Sequence, residues 1–334
     1  MTITLPTVEF GGIVTPKGRK VHGYIPVGKT ASQSLINIPV WIANGKLEGP
    51  TFCVIAGDHG VEYSGMEAIK RLMLQINPET LRGTIVTIPC VNTPGFGKSR
   101  NCPLDQRNIN RMFPGRGNGS ISEIIAYRIF TTFIVKSNFF ADLHDGEGGL
   151  YPFSSFHRTG RKEVDNASEA LARSCGIREV AVTETVYDKG LSYAEASERG
   201  IPSVLWEAAG AAGTDEHSIG THFGALQNCL RHLHMIDGSP ELAAEIDLLQ
   251  GFSAVNATEG GFFYPRVVLG ENVDKGQTIG EIEDFFGEKK EDIKSPAKGI
   301  VLTLKVNRSH VVDAGEQVAE LGLRESVGEV FVPL

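Results

Sequence analysis

Residues 51–62 read TFCVIAGDHGVE, and this stretch decides how the whole chain is interpreted. Its first seven residues (51–57) are mostly apolar and favour extended structure, which is typical of a short buried strand. A polar segment with His59 and Glu62 follows at once, and apolar residues at helical spacing begin at Met66. The stretch therefore predicts a strand, a polar turn and a helix, which is the repeating unit of an α/β sheet.

The same alternation continues along the chain. Further buried strands are predicted in four apolar runs, at 84–91, 138–144, 179–182 and 202–207. Further helices are predicted after the capping-box pattern of Ser120 and Glu123, and at 165–175 and 216–236. Strands that alternate with amphipathic helices favour an α/β fold in which helices pack on both faces of the sheet.

The sequence changes in character after about Gly251. Residues 261–334 contain short β-like runs separated by turn residues, and they show no helical period. We therefore predict two domains, an α/β domain over residues 1–250 and a small all-β domain over residues 251–334.

The composition excludes several classes of function. The chain has 334 residues, of which 41% are hydrophobic and 22% charged, as in ordinary globular proteins. Its net charge of -8 argues against a nucleic-acid-binding surface, although it does not forbid an acidic small substrate in a locally basic site. No apolar run approaches the roughly 18 to 20 residues that a membrane-spanning helix needs. We expect no nucleic-acid partner and no membrane partner.

The N-terminus and the cysteines indicate the compartment. The N-terminal sequence MTITLPTVEFGG has neither the basic start nor the apolar core of a signal peptide. The five cysteines are scattered, and no two have C-x-x-C spacing, which favours free thiols in a reducing compartment. These features predict a cytoplasmic location.

Polar residues follow three of the predicted strands at the point where each strand ends. His59 and Glu62 follow the first strand, and His144 and Glu207 lie at the ends of two later strands. Open α/β sheets gather their active sites at the carboxyl ends of strands. Two histidines and one glutamate form a catalytic zinc site that keeps one position open. We therefore predict one zinc ion per chain, held by His59, Glu62 and His144.

Such a site needs a base as well as a metal. Zinc activates water and polarises a carbonyl group, and Glu207 is the natural general base because it lies on a separate strand. The alternative is that the H-x-x-E pattern is incidental, since it is common by itself. The occurrence of all these residues at strand ends favours the catalytic interpretation.

A long loop over residues 92–119 is rich in Gly, Pro, Asn and Arg, and unstructured loops of this length are usually functional or disordered. We interpret Asn110 and Arg111 as a clamp for a substrate carboxylate, because the guanidinium fork binds carboxylates in a bidentate way. Arg100 or Arg107 is expected to stabilise the oxyanion that develops on the scissile carbonyl. The alternative is a solvated loop whose arginines pair with surface acids.

Together these motifs resemble those of the succinylglutamate desuccinylase/aspartoacylase family, which is related to zinc carboxypeptidases. The stretch GDHGVE (57–62) resembles the family's G-x-H-G-x-E, and LDQRNINRMFPG (104–115) resembles its D-x-N-R-x-F-P-G. DLHDG (142–146) resembles its D-x-H-x-G, and WEAAG (206–210) resembles its glutamate motif. The matches occur in the family's order and cover about residues 50–210.

The resemblance implies a carboxypeptidase-like mixed sheet flanked by helices, one zinc ion, and hydrolysis of the linear amide of a small N-acyl amino acid. It implies the same metal ligands and Glu207 as the base. It places Asn110 and Arg111 at the substrate carboxylate, and we choose Arg100 as the catalytic arginine by its position before that pair. From its chemistry we also count Arg107 among the substrate-binding residues. Within the family the chain looks nearest the bacterial branch that includes N-acetyl-diaminobutyrate deacetylase.

Two departures from the family pattern border the expected site. The chain has Asp145 and Glu147 around Gly146 where relatives often have Ser-Gly, and Ala209 where they often have glycine. The added negative charge leads to the hypothesis that Asp145 binds substrate and favours a cationic side chain.

The C-terminal segment resembles the barrel-sandwich fold of biotinyl and lipoyl carrier domains, in SPAKGIVLTLKV (295–306) and DAGEQVAEL (313–321). Lys298 lacks the methionine flanks usual in biotinyl domains, so a lid, a rim of the active site or an oligomer contact is the better interpretation. A homo-oligomer would be consistent with this module.

We therefore predict a zinc-dependent deacylase of small N-acyl amino acids. The alternatives are a carboxypeptidase that acts on short peptides, and a metal-binding scaffold without turnover. Four histidines of one predicted helix are interpreted as surface or packing residues and not as a second metal site, namely His217, His222, His232 and His234.

Overall fold

In a computed structural model, the described residues are 6–146, 149–184, 188–208, 215–305 and 311–324. Glu147, Ala209 and Gly210, which border the predicted site, lie outside these ranges, and so does the C-terminal run 325–334.

Up to residue 150 the chain forms mainly strands, with two α-helices between them. In chain order the elements are β1 (Thr7–Phe10), β2 (Ile13–Pro16), β3 (Arg19–Lys29), β4 (Leu35–Asn44), β5 (Leu47–Ala56), α1 (Ser64–Gln75), β6 (Arg82–Ile88), a 3-10 turn (Ile109–Arg111), α2 (Ile121–Thr132), a second 3-10 turn (Ile134–Lys136), β7 (Phe139–Asp145) and β8 (Gly149–Leu150).

The next hundred residues alternate between strands and helices. In chain order they are β9 (Phe153–His157), α3 (Lys162–Ser174), β10 (Glu179–Thr183), α4 (Ser192–Ser197), β11 (Ser203–Ala208), α5 (Glu216–His232) and β12 (Asp247–Leu249). From Phe252 onward every regular element among the described residues is a strand. These are β13 (Phe252–Asn256), β14 (Gly261–Pro265), β15 (Asn272–Val273), β16 (Thr278–Glu283), β17 (Lys289–Lys294), β18 (Gly299–Leu304), β19 (Val311–Val312) and β20 (Gln317–Leu323).

A nine-stranded mixed sheet forms the centre of the larger part of the chain. Its order is β12-β10-β9-β11-β7-β5-β6-β4-β3. The central strand β7 is parallel to both of its neighbours, β5 and β11. One apolar cluster joins this sheet to α1, α3 and α5, and another joins the sheet to α2 and α4. The predicted α/β sheet with helices on both faces is confirmed.

Of the helix starts predicted from local sequence, the one at α2 agrees with the structure in detail. The capping box is formed, since the Ser120 side chain accepts from the backbone N–H of Glu123 and the Glu123 carboxylate accepts from the backbone N–H of Ser120 at 2.8 Å. Sequence patterns do not indicate the N-terminal strands, β9 or α4. The last of these has only 6 residues, which is too short for a helical period to show.

Two antiparallel sheets share one apolar core in the C-terminal part. The strands change sheet between Leu249, the end of β12, and Phe252, the start of β13. The boundary at residue 250 and the barrel-sandwich resemblance stay predictions. One short strand crosses between the two parts, because β8 pairs with β18 through Leu150 and Thr303.

A small apolar cluster accompanies this crossing strand. It is formed by Leu150, Phe153, Ala181 and Leu249 together with Ile300 and Leu302 of β18. Apolar side chains buried between two sheets stabilise their contact roughly in proportion to the area removed from water. The two parts of the chain are therefore joined by side-chain packing as well as by main-chain hydrogen bonds.

His157, at the end of β9, lies buried between two carboxylates. Its Nδ1 is 3.0 Å from Asp188 Oδ2, and its Nε2 is 3.1 Å from Glu198 Oε1. Burial lowers the pKa of His157, but Asp188 and Glu198 outweigh it, so the pKa is raised above its ordinary value. The imidazolium form ties β9 to the segment before α4 and to the end of α4.

No helix in the described part of the chain is both long enough and apolar enough to cross a membrane. Each of the five cysteines is a buried free thiol, as expected. The cytoplasmic location stays a prediction.

The first testable prediction concerns the cluster between the two parts. Leu302→Ala should lower the free energy of unfolding by about 2–5 kcal/mol, because a large buried side chain is lost and a cavity remains. Urea denaturation followed by circular dichroism measures the change. The matched control is Val268→Ala, which removes an exposed side chain and should change stability by less than about 0.5 kcal/mol. Equal effects of the two substitutions would contradict the packing described here.

The second prediction concerns pH. A raised folded-state pKa means that His157 stabilises the fold fully below its unfolded value of about 6.5, and that this contribution is lost as pH rises through the folded value. The stability advantage of the wild type over His157→Gln should therefore shrink as the pH rises above about 6.5. Denaturation curves for both proteins across this range measure it. An advantage that grew with pH would show that His157 is held neutral.

Candidate metal centre

Three neighbouring strands bring the predicted residues to one edge of the sheet. His59 and Glu62 lie in the segment that leaves β5, His144 lies on β7, and Glu207 lies on β11. Parallel pairing places Glu207 directly beside His144. The segment after β5 turns at Gly57, whose φ of +69° is a left-handed conformation that favours glycine. The four residues predicted from separate strand ends thus meet.

The carboxylate of Glu62 lies between the two imidazoles. Its Oε1 is 2.7 Å from Nδ1 of His59, and its Oε2 is 3.0 Å from Nδ1 of His144. All three side chains are buried, and one ligand atom from each lies within 4.8 Å of the others. Burial favours the neutral acid, yet His59 and His144 hold the pKa of Glu62 well below its usual range. The centre therefore offers two ring nitrogens and one anionic oxygen, which is a donor set that suits zinc.

The remaining ring nitrogens are held by outer residues. Nε2 of His59 lies 3.1 Å from Asn108 Oδ1, and Nε2 of His144 lies 3.1 Å from Asp142 Oδ2. With a metal ion on the two Nδ1 atoms, each ring would keep its proton on Nε2 and donate it outward to these oxygens. This second layer of contacts is the usual way in which proteins orient histidine ligands.

Ser192, at the start of α4, supports that outer layer. Its hydroxyl donates to Asp142 Oδ2, and its backbone N–H donates to Asn110 Oδ1 at 3.0 Å. Asn110 in turn places Nδ2 at 2.9 Å from Nε2 of His144. Sequence patterns give no signal for Ser192, because its partners are 50 and 82 positions away in the chain.

A second group of donor atoms comes from Asp58, Asp142 and His144, and these also lie within 4.8 Å of one another. The Asp142 oxygen and the His144 nitrogen of this group are already joined to each other. Burial, and then the charge of Asp142, raise the pKa of Asp58 well above its ordinary value. We therefore assign this group to the support of His144 and not to a separate ion.

Asp145 is engaged within the protein. It accepts from the backbone N–H of Ser64 at 2.9 Å and from the Ser64 hydroxyl, so it caps the N-terminus of α1. Trp206 Nε1 donates to Nδ1 of His222 at 2.9 Å, which leaves Nε2 of His222 to donate to Asp145 Oδ1 at 3.0 Å. The predicted substrate contact of Asp145 stays a prediction. His222 is a buried packing residue, as expected.

The predicted arginines separate into two groups. Nη1 of Arg100 lies 3.5 Å from Glu62 Oε1, so Arg100 borders the centre. Nη1 of Arg111 donates to the carbonyl of Asn110 at 2.8 Å, and Nδ2 of this asparagine lies 2.9 Å from Nε2 of His144. Nη1 of Arg107 instead lies 3.7 Å from Glu123 Oε2, at the start of α2. Substrate binding by Arg107 stays a prediction.

Glu207 combines burial with a lack of partners. Its Oε2 is buried, and no hydrogen-bond partner for it occurs among the residues that the structure describes. Burial raises the pKa of Glu207 to about 8, assisted by the charges of Glu62 and Asp145 and opposed by His144 and Arg100. A carboxyl group whose pKa lies near neutrality is suited to proton transfer.

Comparison with known proteins agrees with this geometry. Residues 48–233 match the family model described as the succinylglutamate desuccinylase/aspartoacylase catalytic domain. The chain is 25% identical over 320 residues to N-alpha-acetyl-L-2,4-diaminobutyric acid deacetylase of Halomonas elongata, which covers 92% of this chain and 93% of that protein.

Solved structures share the fold over nearly the whole length. A succinylglutamate desuccinylase/aspartoacylase from Rhodobacter sphaeroides is 25% identical with a TM-score of 0.83, and the match covers 92% of this chain and 96% of that one. The product-bound ectoine utilization protein EutE (DoeB) from Ruegeria pomeroyi is 23% identical with a TM-score of 0.84, covering 97% and 100%.

The third prediction tests the outer layer of the centre. Asp142→Asn should weaken zinc binding about 10- to 100-fold, because the amide no longer fixes the protonation and orientation of His144. Competition with a zinc-binding dye measures the affinity. Asp237→Asn removes a carboxylate that pairs with Arg82 at the surface, and it should leave zinc affinity unchanged. Unchanged affinity in the Asp142 variant would refute the assigned role.

Proposed function

This chain belongs to the succinylglutamate desuccinylase/aspartoacylase family, and we propose that it is a zinc-dependent hydrolase that removes the acyl group from a small N-acyl amino acid. The observation that carries the proposal is the meeting of His59, Glu62 and His144 around one point. Beside them lies the carboxyl of Glu207, whose Oε2 has no hydrogen-bond partner among the described residues. One zinc ion per chain and Glu207 as general base are parts of the proposal.

The residues present fit the metal. Two Nδ1 atoms and an ionised carboxylate face one another, and outer residues hold the other face of each imidazole. When bound, zinc supplies Lewis acidity that activates water and polarises the amide carbonyl.

Glu207 has the position and the proton affinity of a base. It lies beside His144 in the sheet without contributing to the ligand cluster. It takes a proton from the attacking water and returns it to the leaving amine nitrogen as the C–N bond breaks. A carboxyl with a pKa of about 8 holds the proton between the two events, because its neutral form is favoured at neutral pH.

Cationic groups around the centre orient the substrate. Arg100 borders Glu62 and is placed to stabilise negative charge that develops on the carbonyl oxygen. Arg111 binds the carboxylate of the acyl amino acid through its guanidinium fork. The side chain of Asn110 is bonded to His144 and to the Ser192 backbone, so its main part in the reaction is to position His144.

The nature of the similar proteins supports an amide of an amino acid as the substrate. The Halomonas elongata relative is named as a deacetylase of N-alpha-acetyl-L-2,4-diaminobutyric acid, and it aligns over almost all of both chains. The same carbonyl chemistry would serve acyl groups other than acetyl. The proposal therefore states which bond is cleaved, an amide, and that the amine released is an amino acid.

The fourth prediction tests the function directly. Zinc-loaded protein should release acid from at least one of N-acetyl-diaminobutyrate, N-acetylaspartate and N-succinylglutamate. Glu207→Gln should lower kcat about 10²- to 10⁴-fold, because proton transfer is lost. Amine release is measured by derivatisation, and zinc content by atomic absorption.

The zinc content of the variant is the control, because Glu207 is not proposed as a ligand and one ion per chain should remain. Cleavage of a short peptide in preference to every acyl amino acid would instead favour a carboxypeptidase. No turnover with zinc bound would favour a non-catalytic scaffold.

A further inference from the structure

Glu320 on β20 faces the larger part of the chain. Successive residues of a strand point to opposite faces, so residues two apart share a face. Ala319 and Leu321 belong to the core between the two C-terminal sheets. A Cβ on Gly322 would lie 2.5 Å from Cδ1 of Leu249, the last residue of β12. Glu320, two residues before Gly322, therefore points away from the C-terminal core and toward the nine-stranded sheet.

The strand register connects Glu320 to β8, the strand that follows β7 in the chain. Glu320 pairs with Thr303 of β18, and Thr303 pairs on its other side with Leu150 of β8. β8 follows directly on the segment that leaves β7, the strand that carries His144 and ends at Asp145. One row of paired residues thus leads from the active-site edge of the large sheet to Glu320.

The charge of Glu320 acts on Arg111. Burial raises the pKa of Glu320 to about 7, and Arg111 opposes that rise. Glu320 in turn favours the charged form of Arg111. The two side chains interact through charge and are not joined by a hydrogen bond. The guanidinium of Arg111 therefore keeps N–H donors that can bind a substrate carboxylate, and the acidic Glu320 is close enough to act on its charge.

The charge of Asp188 also favours the charged form of Arg111. The Asp188 carboxylate is already hydrogen bonded to His157 at 3.0 Å. Glu320 has no such partner among the hydrogen bonds of the described residues, and the residue is half-buried. A partly buried acid without a hydrogen-bond partner is stabilised by an incoming cation.

We propose that Glu320, presented by the C-terminal sheet, is a specificity-determining residue that binds an ammonium group on the side chain of the substrate while Arg111 holds its carboxylate. A short N-acyl diamino acid carries these two charges a few bonds apart. The inference rests on the proposed deacylase function and adds the substrate class and the residue that selects it. The C-terminal domain is then part of the substrate pocket.

The experiment compares two substrates that differ only in charge. N-acetyl-2,4-diaminobutyrate ends its side chain in an ammonium group, and N-acetylnorvaline ends the same side chain in a methyl group. The ratio of their kcat/KM values is measured for the zinc-loaded wild type, for Glu320→Gln and for Glu316→Gln. Glu316 is the matched control, because it stands one residue before β20 but is exposed and pairs with Lys305.

The wild type should prefer the cationic substrate about 10- to 100-fold, since hydrogen bonds to charged groups are the strong ones. Glu320→Gln should bring the ratio near one by raising KM for the cationic substrate, with kinetics on N-acetylnorvaline unchanged. Glu316→Gln should keep the wild-type ratio.

Two outcomes for Glu320→Gln would overturn the inference alone, and a separate outcome for the wild type would overturn the proposed function. If the wild type hydrolyses these substrates but Glu320→Gln keeps the preference, or loses activity equally on both, Glu320 does not select charge and the deacylase proposal stands. If zinc-loaded wild type hydrolyses no acyl amino acid, including N-acetylaspartate and N-succinylglutamate, the deacylase proposal fails and the inference fails with it.

Discussion

The centre of this protein depends on one buried anion. A carboxylate withdrawn from water needs opposite charge or hydrogen bonds to replace its hydration. Glu62 obtains both from Nδ1 of His59 and Nδ1 of His144. Each imidazole is held in this orientation through its Nε2, which lies against Asn108 in His59 and against Asp142 in His144. The loop before α2 and the strand β7 are therefore fixed in position by the requirements of a single side chain.

Much of the metal centre could be predicted from local sequence. His59, Glu62, His144 and Glu207 all stand at the ends of apolar runs, and parallel strands bring such ends to one edge. The outer layer could not be predicted in this way. Ser192 acts from a helix too short to show a period, on partners far away in the chain. Its role follows only once α4 is packed against β7.

Residue type alone also fails to separate substrate contacts from structural ones. Arg107 and Asp145 have chemistry that suits a substrate contact and lie within motif segments, and in the structure Arg107 lies beside Glu123 and Asp145 caps α1 through Ser64. An arginine or an aspartate in a loop can satisfy its charge in many directions, and only the packed fold decides which. The pairing of β8 with β18 is likewise non-local, since two residues of extended chain carry almost no pattern.

The bonding of Trp206 has an optical consequence. The chain has two tryptophans, and Trp206 is fully buried one residue before Glu207. Its indole N–H is tied through His222 and Asp145 to the first turn of α1, the helix that begins two residues after Glu62. Indole emission depends on the polarity and hydrogen bonding around the ring, so the protein carries its own fluorophore at the back of the metal centre. Its emission therefore reports on the contacts that join β11 to α1.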